Sequence, residues 1–152
     1  MQIQVLNRQR KRKVSTEELL RFAHHLGPLV LNVARQEIPE QILLVLVSDQ
    51  KIAAIHKRFM GISGPTDVIT FQHGEIIVSV ETAARQAAGY QTSFEQELRL
   101  YVAHGLLHLA GFEDHSAKGF REMCKLQAAL VDKVQRGVTA GEPPNDGRGA
   151  AL

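Results

Sequence analysis

Hydrophobic and polar positions alternate with a period of two from Gln2 to Leu6, where Ile3 and Val5 face one way. That pattern predicts a strand. Leu19, Leu20, Phe22, Ala23, Leu26, Leu29, Val30 and Val33 then recur at helical spacing. They predict a helix from Ser15 or Thr16 to about Gln36, and Ser15 with Glu18 has the spacing of a capping box. Gly27-Pro28 is expected to break or kink it. Ile42 to Val47 reads ILLVLV, an unbroken apolar run of strand length, as expected of a strand covered on both faces. Ser48 or Asp49 opens a short helix to about Phe59, and Gly61 to Pro65 is a loop. Asp67 to Phe71 and Glu75 to Val80 predict two more strands, joined by a turn at Gln72-His73-Gly74. A helix over Glu81 to Ala88 is expected to stop at Gly89. Another runs from Ser93 to about Ala110, with Gly111 placed for a left-handed stop. A last helix covers about Ala117 to Gln135. Four short strands among about five helices predict an α+β domain of mixed α/β layers. From Gly137 the chain reads GVTAGEPPNDGRGAAL and loses all period. We therefore expect one domain over residues 1–136 and a disordered tail over 137–152.

Composition narrows the class. A chain of 152 residues with 44% apolar and 22% charged positions can bury a core, which argues against global disorder. The single cysteine, Cys124, excludes an internal disulfide framework and any zinc site built on several cysteines. No apolar run approaches the roughly 20 residues of a membrane span. The basic run follows a short apolar stretch, the reverse of a signal peptide's order, so a cytoplasmic protein is expected. The net charge of +2 says little about partners, but its distribution says more. Arg8, Arg10, Lys11, Arg12 and Lys13 fall within six positions. Such a cluster binds phosphate backbones through counterion release, or simply forms a solvated loop.

The candidate chemistry lies in His104-Gly105-Leu106-Leu107-His108. On a helix, residues four apart share a face, so both imidazoles can converge on one ion. Gly111 can reverse the chain just beyond, and a ligand from the following Glu113-Asp114-His115 can swing back. Three protein ligands and an open position make the catalytic zinc arrangement. Gly105 occupies the place where H-E-x-x-H metalloproteases carry their general base, so that peptide-cleaving mechanism lacks its carboxylate. Glu97 shares the helical face of His104 two turns earlier, about 10 Å away by the helix rise, too far for direct ligation. Thr66 and Asp67 open a strand and either line a groove or cap it. Ser79 and Glu81 flank a strand-to-helix junction, where an acid stabilises the helix dipole.

HGLLHLAGFEDH resembles the H-G-x-L-H-L-x-G-[YF]-D-H pattern of the YbeY family, zinc-containing rRNA maturation factors described as single-strand-specific endoribonucleases. GPTDVITF (Gly64 to Phe71) is similar to the family's K-P-T-D-V-L-S-F, and GEIIVSVETAARQA (Gly74 to Ala87) to G-D-I-V-I-S-V-E-T-A. The segments keep the family's order and spacing and cover about Val5 to Val134. The resemblance implies a small four-stranded mixed sheet flanked by helices, with a zincin-like metal site at a helix end. It implies one zinc per chain on His104, His108 and a third ligand. By register the third is Asp114; a one-residue adjustment after Gly111 brings in His115 instead. It implies metal-dependent cleavage of single-stranded rRNA, or action on ribosomal subunits, with His104 and His108 catalytic through the metal. Arg8, Arg10, Lys11, Arg12, Lys13, Lys57 and Arg58 would bind the RNA backbone, and with no Trp extensive stacking is not expected. The family's Y-R before the short loop is Phe59-Met60 here, and Met60 cannot bind phosphate; Arg85 is another possible supplier. Two other readings stay open: a non-catalytic zinc-containing ribosome-associated RNA-binding protein, and a zinc hydrolase of a non-RNA substrate.

Overall fold

A computed structural model describes residues 1–137. Nine elements follow one another: β1 (Gln2–Asn7), α1 (Thr16–Val33), β2 (Gln41–Val47), α2 (Asp49–Met60), β3 (Val68–Phe71), β4 (Glu75–Ser79), α3 (Val80–Tyr90), α4 (Phe94–Leu109) and α5 (Ala117–Arg136). The four strands form one mixed sheet in the order β1-β2-β4-β3. β1, β2 and β4 run parallel, and β3 closes the edge antiparallel to β4. The α+β layering expected from the sequence is what the chain forms. Residues 138–152, which hold nearly all of the expected tail, lie outside the described residues.

The unbroken apolar run of β2 has its explanation in the two faces of the sheet. Ile42, Leu44 and Leu46 point into the main core with Ile76 and Val78, beneath α1, α4 and α5. Val45 and Val47 point the other way and join Ile52 of α2, Ile69 and Ile77 in a second, smaller core. A strand buried on both faces has no polar face to alternate with.

The chain does not break at Gly27-Pro28, where a break or a kink was expected, and does not stop at Gly89. Pro28 sits inside α1, which continues to Val33. Pro28 is exposed while its neighbours Gly27 and Val30 are buried, so the carbonyl deprived of its partner lies on the side that water reaches. A Cβ at Gly27 would lie 3.2 Å from Met1 Sδ, a tight approach that the Met1 side chain would have to yield to. Gly89 is exposed with open space around it and does not end α3. The stop falls at Gln91, in the left-handed region at φ 56°, where Gln91 and Thr92 donate to Ala88 and Ala87 carbonyls.

Each of the five helices among the described residues has a serine at its N-cap. Ser15, Ser48, Ser79, Ser93 and Ser116 all accept from a backbone N–H three residues on. Ser79 also donates to Asp49 at 2.6 Å, and Glu81 accepts from the Asp49 backbone at 2.8 Å. Glu81 therefore caps α2 from the first turn of α3, beyond the dipole role expected of it. Thr82 donates to Asp49, and Arg85 is ion-paired with it. This network ties the starts of α2 and α3 together at the carboxyl ends of β2 and β4. Burial resists charge on Asp49, but Arg85, Ser79 and Thr82 hold its carboxyl below the usual value.

A candidate metal centre at the end of α4

Helix α4 carries the two histidines, and its packing decides where they point. Gly105 lies against β4: a Cβ there would fall 2.5 Å from Ile76 Cγ2 and 3.1 Å from Cδ1. Only a residue without a side chain lets the helix settle this close to the sheet. His104 and His108 project on another side and are partly buried. A glutamate at position 105 would be driven into the core rather than toward the histidines. The gap in the H-E-x-x-H pattern is thus a packing requirement.

The chain leaves α4 through a Schellman motif. Phe112 N donates to Leu107 O at 3.0 Å and Gly111 N to His108 O at 3.1 Å. Gly111 is at φ 98°, which glycine adopts without strain. Arg35 N donates to the Ala110 carbonyl, and Gln36 Nε2 to that of Leu109, anchoring the turn to the end of α1. The Glu113 carboxylate accepts from His115 N and Ser116 Oγ, bonds that hold it below its usual titration range. Gly119 makes room for that carboxylate, since a Cβ there would lie 2.1 Å from Glu113 Oε1. Asp114 is thereby set opposite the histidines.

His104 Nε2 and His108 Nε2 are 3.0 Å apart. One Asp114 oxygen is 3.3 Å from His104 Nε2, and the other is 3.6 Å from His108 Nε2. A tetrahedral ion with ligands at about 2.0–2.1 Å sets them about 3.3 Å apart, so the spacing fits. The far side of each ring is also engaged. His104 Nδ1 donates to Gln127 Oε1 at 3.0 Å, and a backbone hydrogen bond at Phe112 holds His108. With Nδ1–H committed to Gln127, His104 turns a lone pair inward. Burial and the neighbouring imidazole push the His108 pKa down, against the pull of Asp114, and so favour the neutral ring. Two nitrogen ligands and a carboxylate crowded together relieve their repulsion by sharing a cation. Among the described residues these three form the group able to hold a metal ion.

The profile of the family described as Endoribonuclease YbeY matches residues 4–135. The chain belongs to the YbeY family. The Endoribonuclease YbeY of Petrotoga mobilis is 30% identical over 135 residues, covering 84% of this chain and 91% of that one. The one from Thermotoga neapolitana is 40% identical over 100 residues, 60% of this chain and 65% of the other. A solution structure of a Thermotoga maritima protein superposes with a TM-score of 0.61 at 29% identity, covering 95% of both chains.

Not every residue singled out in the sequence joins the cluster of His104, His108 and Asp114. His115 is exposed and stands outside it. Arg8, Arg10, Lys11, Arg12 and Lys13 lie on the exposed loop after β1, which Gln9 folds by accepting from Lys11 N and Arg12 N. The Arg12 guanidinium covers the Phe94 ring at 4.4 Å. That is the opposite end of α4, about 15 Å along the axis from His104. Lys57, Arg58 and the exposed Met60 belong to the end of α2, which covers the other face of the sheet. The structure does not gather these cations around the histidines. A cleft of about 480 Å³ opens beside His104, bounded by Asp67 and by α3, α4 and α5. Glu97 lines it and is buried at 6% exposure. Burial and the nearby Asp67 charge raise its pKa despite the Tyr101 hydroxyl beside it. Gln127 carried no signal in the sequence, because its role depends on how α5 crosses α4.

Proposed function

We propose that this chain is a zinc-dependent endoribonuclease that cuts single-stranded RNA during rRNA maturation in the cytoplasm. The observation that carries the reading is the convergence of His104, His108 and Asp114 beside an open cleft, in a chain of the YbeY family. The relatives are named as endoribonucleases, which supplies the substrate class. Two imidazoles and one carboxylate suit zinc and leave a coordination position open. When bound, the ion would supply Lewis-acid stabilisation of charge at a phosphodiester. His104, His108 and Asp114 would hold it. Gln127 and the Phe112 backbone orient the two rings, and the Gly111 turn sets the reach of Asp114.

A non-catalytic, zinc-containing RNA-binding protein of the ribosome is the second reading. Met60 favours it, because a thioether stands where the family carries an arginine. Gly105, pressed against Ile76, leaves no space for the base of a peptide hydrolase. The test is incubation of the zinc-loaded protein with unpaired and duplex RNA, alongside His108→Ala. We expect cleavage of the unpaired strand only, abolished in the variant and by chelation. Binding to rRNA with no cleavage that depends on His108 would replace the enzyme with the binding protein.

A further inference from the structure

Two large aromatic side chains stand exposed on this surface, and both border the cleft at His104. Tyr90 is 72% exposed and Phe120 is 54% exposed. Their placement follows from how α4 and α5 pair. Gln127 accepts from His104, and Gln135 Nε2 donates to Gln96 Oε1. Position numbers rise on one helix as they fall on the other, so the helices run antiparallel. Phe120 is seven residues before Gln127, about 10 Å further along the axis by the helix rise. It therefore lies past His104 on the Asp114 side. Tyr90 lies on the other side, close enough to Tyr101 to perturb its phenol. Tyr90 ends α3 directly before the left-handed Gln91 cap, whose hydrogen bonds fix the backbone beneath it. The aromatics thus flank the histidine cluster along one cleft.

The floor on the Tyr90 side is polar and acidic. Tyr101 is 5% exposed, and its hydroxyl makes no hydrogen bond of good geometry. Glu97 and Asp67 lie near it. Carboxylates there repel phosphate but accept from the amino and imino groups of a base edge.

We propose that Tyr90 and Phe120 are stacking platforms for two unpaired nucleobases of an RNA strand, one on either side of the phosphodiester held at His104, His108 and Asp114. The proposal rests on the RNA reading above and adds how the strand is gripped. Stacking on exposed aromatic rings tolerates any base, because every base has a π-face. The sugar-phosphate backbone then crosses the cluster with its bases splayed outward, a conformation that a duplex cannot adopt. Single-strand preference follows from this geometry.

The experiment measures fluorescence anisotropy with a labelled ten-nucleotide unpaired RNA and an abasic RNA strand of equal length. Zinc-loaded wild type, Tyr90→Ala and Phe120→Ala are compared in the cold, with RNA integrity checked by gel. Both side chains are mostly exposed, so the variants should melt like the wild type. Each variant is expected to weaken the base-bearing strand roughly 5- to 100-fold and to leave the abasic strand within about twofold. Unchanged affinity for the base-bearing strand, or an equal loss on both strands, overturns the proposal. Wild type that cleaves RNA beside variants of unchanged affinity would sink the platforms and leave the nuclease standing. A base-dependent loss in a wild type that cleaves nothing would do the reverse.

Discussion

Replacing Gly105 by alanine tests how closely the metal centre depends on helix-to-sheet contact. The added Cβ would meet Ile76 Cγ2 at 2.5 Å, about 0.9 Å inside the 3.4 Å where ordinary contact begins. Ile76 is 1% exposed and belongs to β4, which is paired on both sides by β2 and β3, so it has little room to retreat. Overpacking of this kind costs about 1–3 kcal/mol, and the upper half applies here. Alanine regains about 1 kcal/mol of helix propensity. The net loss is then about 1–2 kcal/mol, or a fall in Tm of about 2–8 °C for a chain of this size. Urea denaturation followed by circular dichroism measures it. Ile76→Ala alone should cost about 2–5 kcal/mol by opening a cavity. The double variant should lose less than the sum of the two by at least about 1 kcal/mol, because the new methyl occupies vacated space. Gly105→Ala as stable as wild type, or strict additivity in the cycle, would refute the packing argument.

Other outcomes follow from the same contacts. Gln127→Leu removes the acceptor for His104 Nδ1 and should weaken zinc binding about 10- to 100-fold in a chelator competition, while Gln127→Glu keeps it; equal affinity in all three would discount the orienting bond. Asp49 has a folded pKa below its ordinary 3.8, so its contribution is fully present above about pH 4 and fades as pH falls through the lower folded value. Asp49→Asn should therefore be clearly less stable than wild type at pH 7, with the gap in urea midpoints narrowing below that range; a gap that widens in acid contradicts it. Glu97 has the opposite sign: its raised pKa penalises the folded state once pH exceeds the ordinary 4.5. Glu97→Gln should be more stable than wild type at pH 7 and no better at pH 4, by thermal melting at both.

Most of the elements were legible because period and caps agreed. The β2 run announced a strand buried twice over, and serines at 15, 48 and 93 marked three of the helix starts, whereas the caps at Ser79 and Ser116 showed only in the structure. Pro28 and Gly89 misled because local rules know nothing of which side faces water. At Pro28 the orphaned carbonyl is on the wet face, and at Gly89 the next cap is two residues away. His104 and His108 were visible as an i, i+4 pair, and the third position was open between Asp114 and His115. The bonds that seat Glu113 turn Asp114 inward, which no spacing reveals. Gln127, Tyr90 and Glu97 gain their roles from how α3 and α5 lie across α4. Those are contacts between elements far apart in the chain, and no local pattern encodes them.

The proposed function depends on His104, His108 and Asp114 together holding one zinc. Elemental analysis of purified wild type, His104→Ala, Asp114→Ala and His115→Ala tests it most directly. About one zinc per chain is expected in wild type and His115→Ala, and loss in the other two. Zinc retained by Asp114→Ala and lost from His115→Ala, or a wild type that takes up none at neutral pH, would contradict it.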